Sequence, residues 1–261
     1  MRRTIFATLV TVFSASTFAS TFQHQTDANF GWLDVNGAEL QQWNLAHQFY
    51  LAPVNLNGKA PFAEAGFLSR IASVNGTYSY TDIDLGATSQ SNSNWSIGGE
   101  YKDISHNFYA SAQLLELNGS KDRAILASAG LFISSDWLVK LDARNIRPDS
   151  VGSYTEYGIS TKKLMALDNG NFINIEASFM DVRNDNDSEY SVAADYYFGR
   201  NIALGLVYDW TSDDVVNANS DSITVRGSWY LQPNIALRAA VTFDYLNSGE
   251  EQYQLGASYR F

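Results

Sequence analysis

Cysteine is absent from this chain of 261 residues, so no disulfide holds it and no CxxC pair serves it. Histidine occurs only at His24, His47 and His106, and none has a Gly-flanked serine beside it. Hydrolysis by a Ser–His pair or a His-activated water needs an imidazole near a nucleophile or carboxylate. With no HExxH motif and no Gly-rich phosphate loop, the chain is not expected to be an enzyme, and no cofactor or metal is expected. Long apolar runs are missing as well, since nothing reaches the roughly 20 residues of a transmembrane helix. Positive charge is scarce, with 17 Lys and Arg against 28 Asp and Glu. An acidic chain repels phosphates, so a nucleic-acid partner is not expected.

The first residues read as an export signal. Arg2 and Arg3 precede an apolar stretch from Ile5 to Phe13 and a run of small residues, with cleavage expected after Ala19. Residues 1–19 are therefore assigned to a signal peptide and 20–261 to the folded unit. Removing two arginines changes the balance to 15 basic against 28 acidic side chains, or −13. Both a soluble periplasmic protein and a membrane barrel are consistent with this much.

Patterning separates them. The chain holds 36 aromatic residues (15 Tyr, 15 Phe, 6 Trp), 18 glycines and 4 prolines. "YYFGRNIALGLVYDW" (196–210) and "WYLQPNIALRAAVTFDY" (229–245) share one grammar: an alternating strand, a tight turn flanked by aromatics, and another alternating strand. Residues 100–114 and 130–144 are looser copies. Longer polar connections, such as "GATSQSNSN" (86–94) and "TSDDVVNANSD" (211–221), alternate with the tight turns. About 14 strands result, with about 12–16 as the range. Strand four is read as 94–103 and strand twelve as 222–231. An even count puts both chain ends on one side and lets the first and last strands pair, which removes the exposed edge.

The chain stops on "QYQLGASYRF", an alternating strand with Tyr253, Tyr259 and Phe261 on its apolar face. Together with the signal segment and the hairpins, this ending resembles that of Gram-negative outer-membrane β-barrels, and the whole mature chain resembles the general bacterial porins. The resemblance implies an all-β fold, a transmembrane antiparallel up-and-down barrel in the cell outer membrane with both termini periplasmic. It also implies that Tyr253, Tyr259 and Phe261 act as the signal read by the assembly machinery, and that lipid and lipopolysaccharide surround the wall. A passive diffusion channel for small hydrophilic solutes and ions is then expected. The alternative is a non-conducting barrel with a surface recognition or structural role; oligomeric state is not legible.

Alternation assigns side chains to faces. Strand eleven turns Ile202, Leu204, Leu206, Tyr208 and Trp210 to one side and Asp209 to the other. The set expected to line a pore is Glu100, Lys102, Lys140, Asp142, Arg144, Glu156, Lys162, Glu176, Asp195, Asp209, Arg226, Arg238, Asp244 and Arg260, with seven charges of each sign. Arg or Lys facing lipid at mid-membrane would cost about 2–4 kcal/mol, so the clustering of charge on one face supports the register. Strand six (122–134) is apolar on both faces and has no evident orientation. About 14 strands spaced ~4.8 Å apart and tilted near 40° give a backbone diameter of roughly 28 Å.

Acids Asp149, Asp185, Asp187, Asp213, Asp214, Asp221, Glu250 and Glu251 outnumber Lys121, Arg147 and Arg183 in the loops, so a mild cation preference is expected. The one irregular region is 53–70. Phe62, Ala65, Leu68 and Ile71 fall at helical spacing, so a short helix is expected at about 61–70. Two placements are compatible: tucked into the mouth, where it narrows the pore, or on the surface as a cover for the rim. The second is the simpler expectation.

Overall fold

A computed structural model describes residues 20–35, 38–86, 88–116, 122–148, 152–182, 187–213, 218–244 and 251–261. The signal segment 1–19 lies outside them, as do Lys121, Asp149, Arg183, Asp185, Asp214, Tyr245 and Glu250. Fourteen strands close one antiparallel barrel. They are β1 (Thr21–Val35), β2 (Ala38–Asn55), β3 (Ser73–Asp84), β4 (Ser89–Asp103), β5 (Phe108–Glu116), β6 (Arg123–Ser134), β7 (Trp137–Arg147), β8 (Tyr154–Ala166), β9 (Phe172–Val182), β10 (Asp187–Phe198), β11 (Ile202–Asp213), β12 (Ala218–Gln232), β13 (Ile235–Asp244) and β14 (Glu251–Arg260). Each strand pairs with its sequence neighbours, and β1 pairs with β14 from Gln25–Arg260 to Leu33–Gln252. No helix is long and apolar enough to cross a membrane, which says nothing against strands doing so.

The period of two sorts side chains as the alternation predicts. Leu204, Leu206 and Tyr208 of β11, Trp229 of β12, Leu237 of β13 and Leu255 of β14 lie exposed on the outer wall. An outer surface this apolar is stable only against lipid. Aromatics mark both ends of the β14–β1–β2 seam. Phe30 meets Trp43 at 4.5 Å and Trp32 meets Tyr253 at 5.3 Å toward one rim, while His24 stacks on Phe261 at 4.9 Å toward the other.

Two differences from the sequence reading have physical causes. β4 begins at Ser89 rather than 94, and β12 at Ala218 rather than 222. The ladder hydrogen bonds continue beyond the apolar band, where either face can be polar, so Ser89, Gln90, Ser91 and Asn92 read as loop although they pair with β3. β6 also acquires an orientation. Ile125, Leu131 and Ile133 are exposed outside, and Phe132 is buried inside. Its inner face is apolar at that end because Phe132 packs on Phe67 of the 53–70 region at 5.9 Å.

The dry core therefore does not run along the barrel. It sits at the rim that carries the tight turns, where Phe22, Tyr50, Val54, Leu56, Phe62, Tyr230 and Ala236 form one cluster and Tyr109, Phe132 and Leu138 another. Leu206→Arg should lower the stability of the folded protein in bilayers by about 2–4 kcal/mol, depending on depth. Urea unfolding in liposomes measures this directly; an unchanged midpoint would mean that this wall does not face hydrocarbon.

Candidate functional site: the barrel interior and the segment across one mouth

Between β2 and β3 the chain forms a 3-10 turn (Phe62–Glu64) and an α-helix, α1 (Ala65–Ser69). This is where the apolar spacing places a helix, but the segment does not cover the rim from outside. It folds into the mouth, and the reason is its set of partners. Arg200, in the β10–β11 turn nearly opposite on the barrel, donates to the carbonyls of Leu56 and Ala60 and stacks on Phe62 at 4.1 Å. Burial without a carboxylate partner pulls the pKa of this guanidinium below its ordinary value. Arg260 of β14 donates to the carbonyl of Phe62 (2.8 Å) and the hydroxyl of Tyr230 (2.9 Å).

Glu64 is 4 % exposed and receives the Tyr197 hydroxyl at 2.5 Å and the Lys162 ammonium at 3.0 Å. On the far side Arg70 donates to Asn107 (2.7 Å) and the Ser134 carbonyl (2.6 Å) and lies over Phe132. Arg70 and Asn107 are the two non-glycine residues with positive φ among the described residues, and they bond to each other. Gly66 makes the close approach to β2: a Cβ there would fall 2.3 Å from the Tyr50 hydroxyl. An apolar rim cover would need none of these bonds. The segment is a tie across the mouth.

Above the tie the interior is polar and its charges are mostly paired. Lys102 meets Glu100 at 3.1 Å, and Arg144 meets Glu156 and, at 2.8 Å, Glu189. Lys162 joins Glu176 at 2.8 Å, Arg226 joins Asp195 at 2.7 Å, and Arg238 joins Asp27 at 2.8 Å. The two halves of the wall differ. From β1 to β5 it is rich in amides and hydroxyls, with Gln48 on Ser73, Thr77 on Ser96 and Gln113 on Ser96. From β7 to β12 it carries most of the ion pairs.

Three adjoining cavities of about 310, 410 and 450 Å³ occupy the interior. The first two share Glu100, Tyr109 and Lys140; the second and third share Lys162, Glu176, Val207 and Arg226. Of the residues the sequence points to, Glu100, Lys102, Lys140, Asp142, Arg144, Lys162, Glu176, Asp195, Asp209, Arg226 and Arg238 line these cavities. Glu156 is instead buried behind Arg144, and Arg260 is committed to the mouth. Asp244 pairs in register with Ser222 near the rim of the longer loops. Asp27, Glu64 and Glu189 join the network without having been singled out. Strand parity could have found Asp27 and Glu189, but only the fold brings Glu64 inside.

The histidines lie apart from this interior. His47 bonds Thr26 (2.9 Å) and lies 3.3 Å from His24 on the outer wall. His106 sits in an exposed turn where Ser105 and Asp103 both approach the same ring nitrogen, Nδ1. An imidazole that relays a proton from serine to carboxylate uses its two nitrogens separately. Among the described residues no group of acids and histidines is arranged to hold a metal ion.

A family model described as "Putative general bacterial porin" matches residues 1–152 and 146–261. Among solved structures, the outer membrane protein Omp33 of Acinetobacter baumannii superposes with a TM-score of 0.72 at 18 % identity. The match covers 93 % of this chain and 99 % of that one. A bacterial polysaccharide outer membrane secretin gives 0.53 at 7 % identity, covering 93 % and 99 %. These identities speak for the fold alone. No curated protein matches the chain.

The Arg70 contact yields a signed expectation. Arg70→Gly relieves a left-handed backbone that costs about 1–2 kcal/mol for a non-glycine residue, but removes two charge-assisted bonds worth about 1.5–3 kcal/mol each. The net effect should be a looser segment, read as faster hydrogen–deuterium exchange at Phe62–Ser69 with the strands unchanged. Slower exchange would show that the guanidinium does not hold the tie.

Proposed function

The chain belongs to the general bacterial porin family, and from that premise we propose that it is a passive diffusion channel of the outer membrane for small hydrophilic solutes and ions, with a mild preference for cations. The observation that carries this reading is the row of adjoining, charge-lined cavities inside a closed barrel. Charged groups of both signs in partly exposed positions hold water beside them, because a dry interior would penalise each one heavily. Hydrated solutes then move down their gradients past Lys140, Asp142 and Arg144, which succeed one another along β7, and past Lys162, Glu176, Asp195 and Arg226 on the neighbouring wall. Ala63, Glu64 and Phe67 of the tie form part of the cavity walls, so the route narrows at that end. No covalent step and no energy coupling enter this mechanism.

In the same reading the tight-turn rim and both termini face the periplasm, and the long-loop rim faces outward. The described strand ends at that outer rim bear Asp34, Glu39, Asp82, Asp84, Glu116 and Glu251 against Arg123 and Arg147. An acidic vestibule concentrates cations and repels anions, most strongly at low ionic strength. Tyr253 and Tyr259 of β14 and Phe261 just after it share one parity with exposed Leu255, which supports their being read by assembly factors and met by lipid. The tie gives some weight to the alternative of a barrel that does not conduct.

The experiment is single-channel recording across a planar bilayer with asymmetric potassium chloride. Stable current steps are expected, with a reversal potential of the sign that favours potassium. Arg226→Ala and Asp244→Asn should each change the conductance. Silence from protein shown to be folded and inserted would overturn the channel reading.

A further inference from the structure

Two interior charges lack a hydrogen-bonded partner of opposite sign among the described residues. The Lys140 ammonium has its nearest carboxylate, Asp142, at 3.7 Å, beyond hydrogen-bond reach. Both oxygens of Asp142 are already engaged, one by Ser128 and the other by Ser160. Among the described residues Lys140 otherwise meets the face of Tyr109, 5.6 Å away. Asp209 borders the largest of the three cavities and has no hydrogen-bond or ion-pair partner among the described residues. The other acids and bases lining the cavities each have an ion-pair or hydrogen-bond partner.

The register relates these two charges. Lys140 pairs with Ser160, Ser160 with Ser178, Ser178 with Ser191, and Ser191 with Asp209. All five therefore lie on one row across β7–β11 with their side chains inward, and the three serines line the middle cavity. An ammonium with no hydrogen-bonded carboxylate, only the loose contact to Asp142, ends the row on one side, and a carboxylate with no partner among the described residues ends it on the other. Between them runs a track of hydroxyls: Ser160 already donates to Asp142 and keeps its lone pairs as acceptors, while Ser178 and Ser191 can donate and accept. Four strand spacings of ~4.8 Å make the row about 19 Å long at the backbone. The two charged side chains reach inward from a curved wall, which shortens the span between them.

We propose that this row is a recognition track for zwitterionic solutes, namely short peptides. Lys140 receives the carboxylate end, Asp209 receives the ammonium end, and the serines bond to the atoms between. An extended peptide advances ~3.3 Å per residue, so two to four residues place the two ends about 7–13 Å apart. A neutral polyol finds the hydroxyls but neither charge, and a simple salt ion finds one charge. The inference rests on the channel reading and adds the solute class to it.

The test is osmotic swelling of liposomes containing the full chain, with triglycine compared against the same peptide acetylated at the amino end and amidated at the carboxyl end. Glycerol reports whether the barrel conducts at all. Free triglycine should enter about two- to fivefold faster than the blocked peptide, the range of one solvent-exposed ion pair. Lys140→Met and Asp209→Asn, neither of which breaks an ion pair within hydrogen-bond reach, should each reduce that ratio, and Lys140→Arg should retain it. Equal rates for the two peptides in liposomes that admit glycerol would overturn the recognition track and leave the channel standing. So would a ratio unmoved by both charge-removing variants. Failure of glycerol itself to enter would overturn the channel, and the track with it.

Discussion

Every backbone amide and carbonyl in this wall must find its partner inside the sheet, because hydrocarbon offers none. That requirement admits no free edge, so β1 must meet β14, and the closed ladder then imposes a strict period of two on every strand. Once one face is given to lipid, the other is compelled to turn inward. The polar interior, the pairing of its charges and the cavities between them all follow from this. Ion pairs such as Arg226–Asp195 and Arg238–Asp27 are a means of keeping charge inside a narrow cylinder without leaving it unneutralised.

The interior is not uniform, and the tie explains part of the difference. At the tight-turn rim it replaces water with packed side chains, so β2, β5, β6, β7 and β12 turn Tyr50, Tyr109, Phe132, Leu138 and Tyr230 inward at that level. Further up, the same strands present Gln48, Ser111, Ser128, Lys140 and Arg226. A single strand thus carries two interior chemistries in series, dry below and wet above. Three arginines with no carboxylate partner among the described residues, Arg70, Arg200 and Arg260, mark the boundary by donating to main-chain or side-chain oxygens around the tie.

Much of this was legible in the sequence, because the outer face of a barrel strand answers only to lipid. Leu204, Leu206 and Tyr208 point outward for that reason alone, and Asp209 must then point inward. The ends of strands were less legible. Beyond the apolar band nothing distinguishes paired Ser89–Asn92 from loop, and only the ladder decides. β6 could not be oriented because Phe132 answers to Phe67, a residue far off in the chain and itself without a clear pattern. The tie was legible as a helix but not as a tie: Glu64 meets Tyr197 across 133 residues of sequence. The looseness of the Lys140–Asp142 contact was invisible for a related reason. Asp142 looks like a partner two residues away until Ser128 and Ser160 are seen to occupy it.

The bond from Arg260 to the Phe62 carbonyl joins residues 198 positions apart, and this has a consequence for the order of folding. The residues named as holding the tie come from the turns after β4 and β10 and from β6, β8, β10, β12 and β14, so all of them are made after the tie itself has been synthesised. The Arg260 bond cannot form until β14 has been laid against β1. The tie therefore completes its docking only on a finished ring, and its full docking records that closure has already happened.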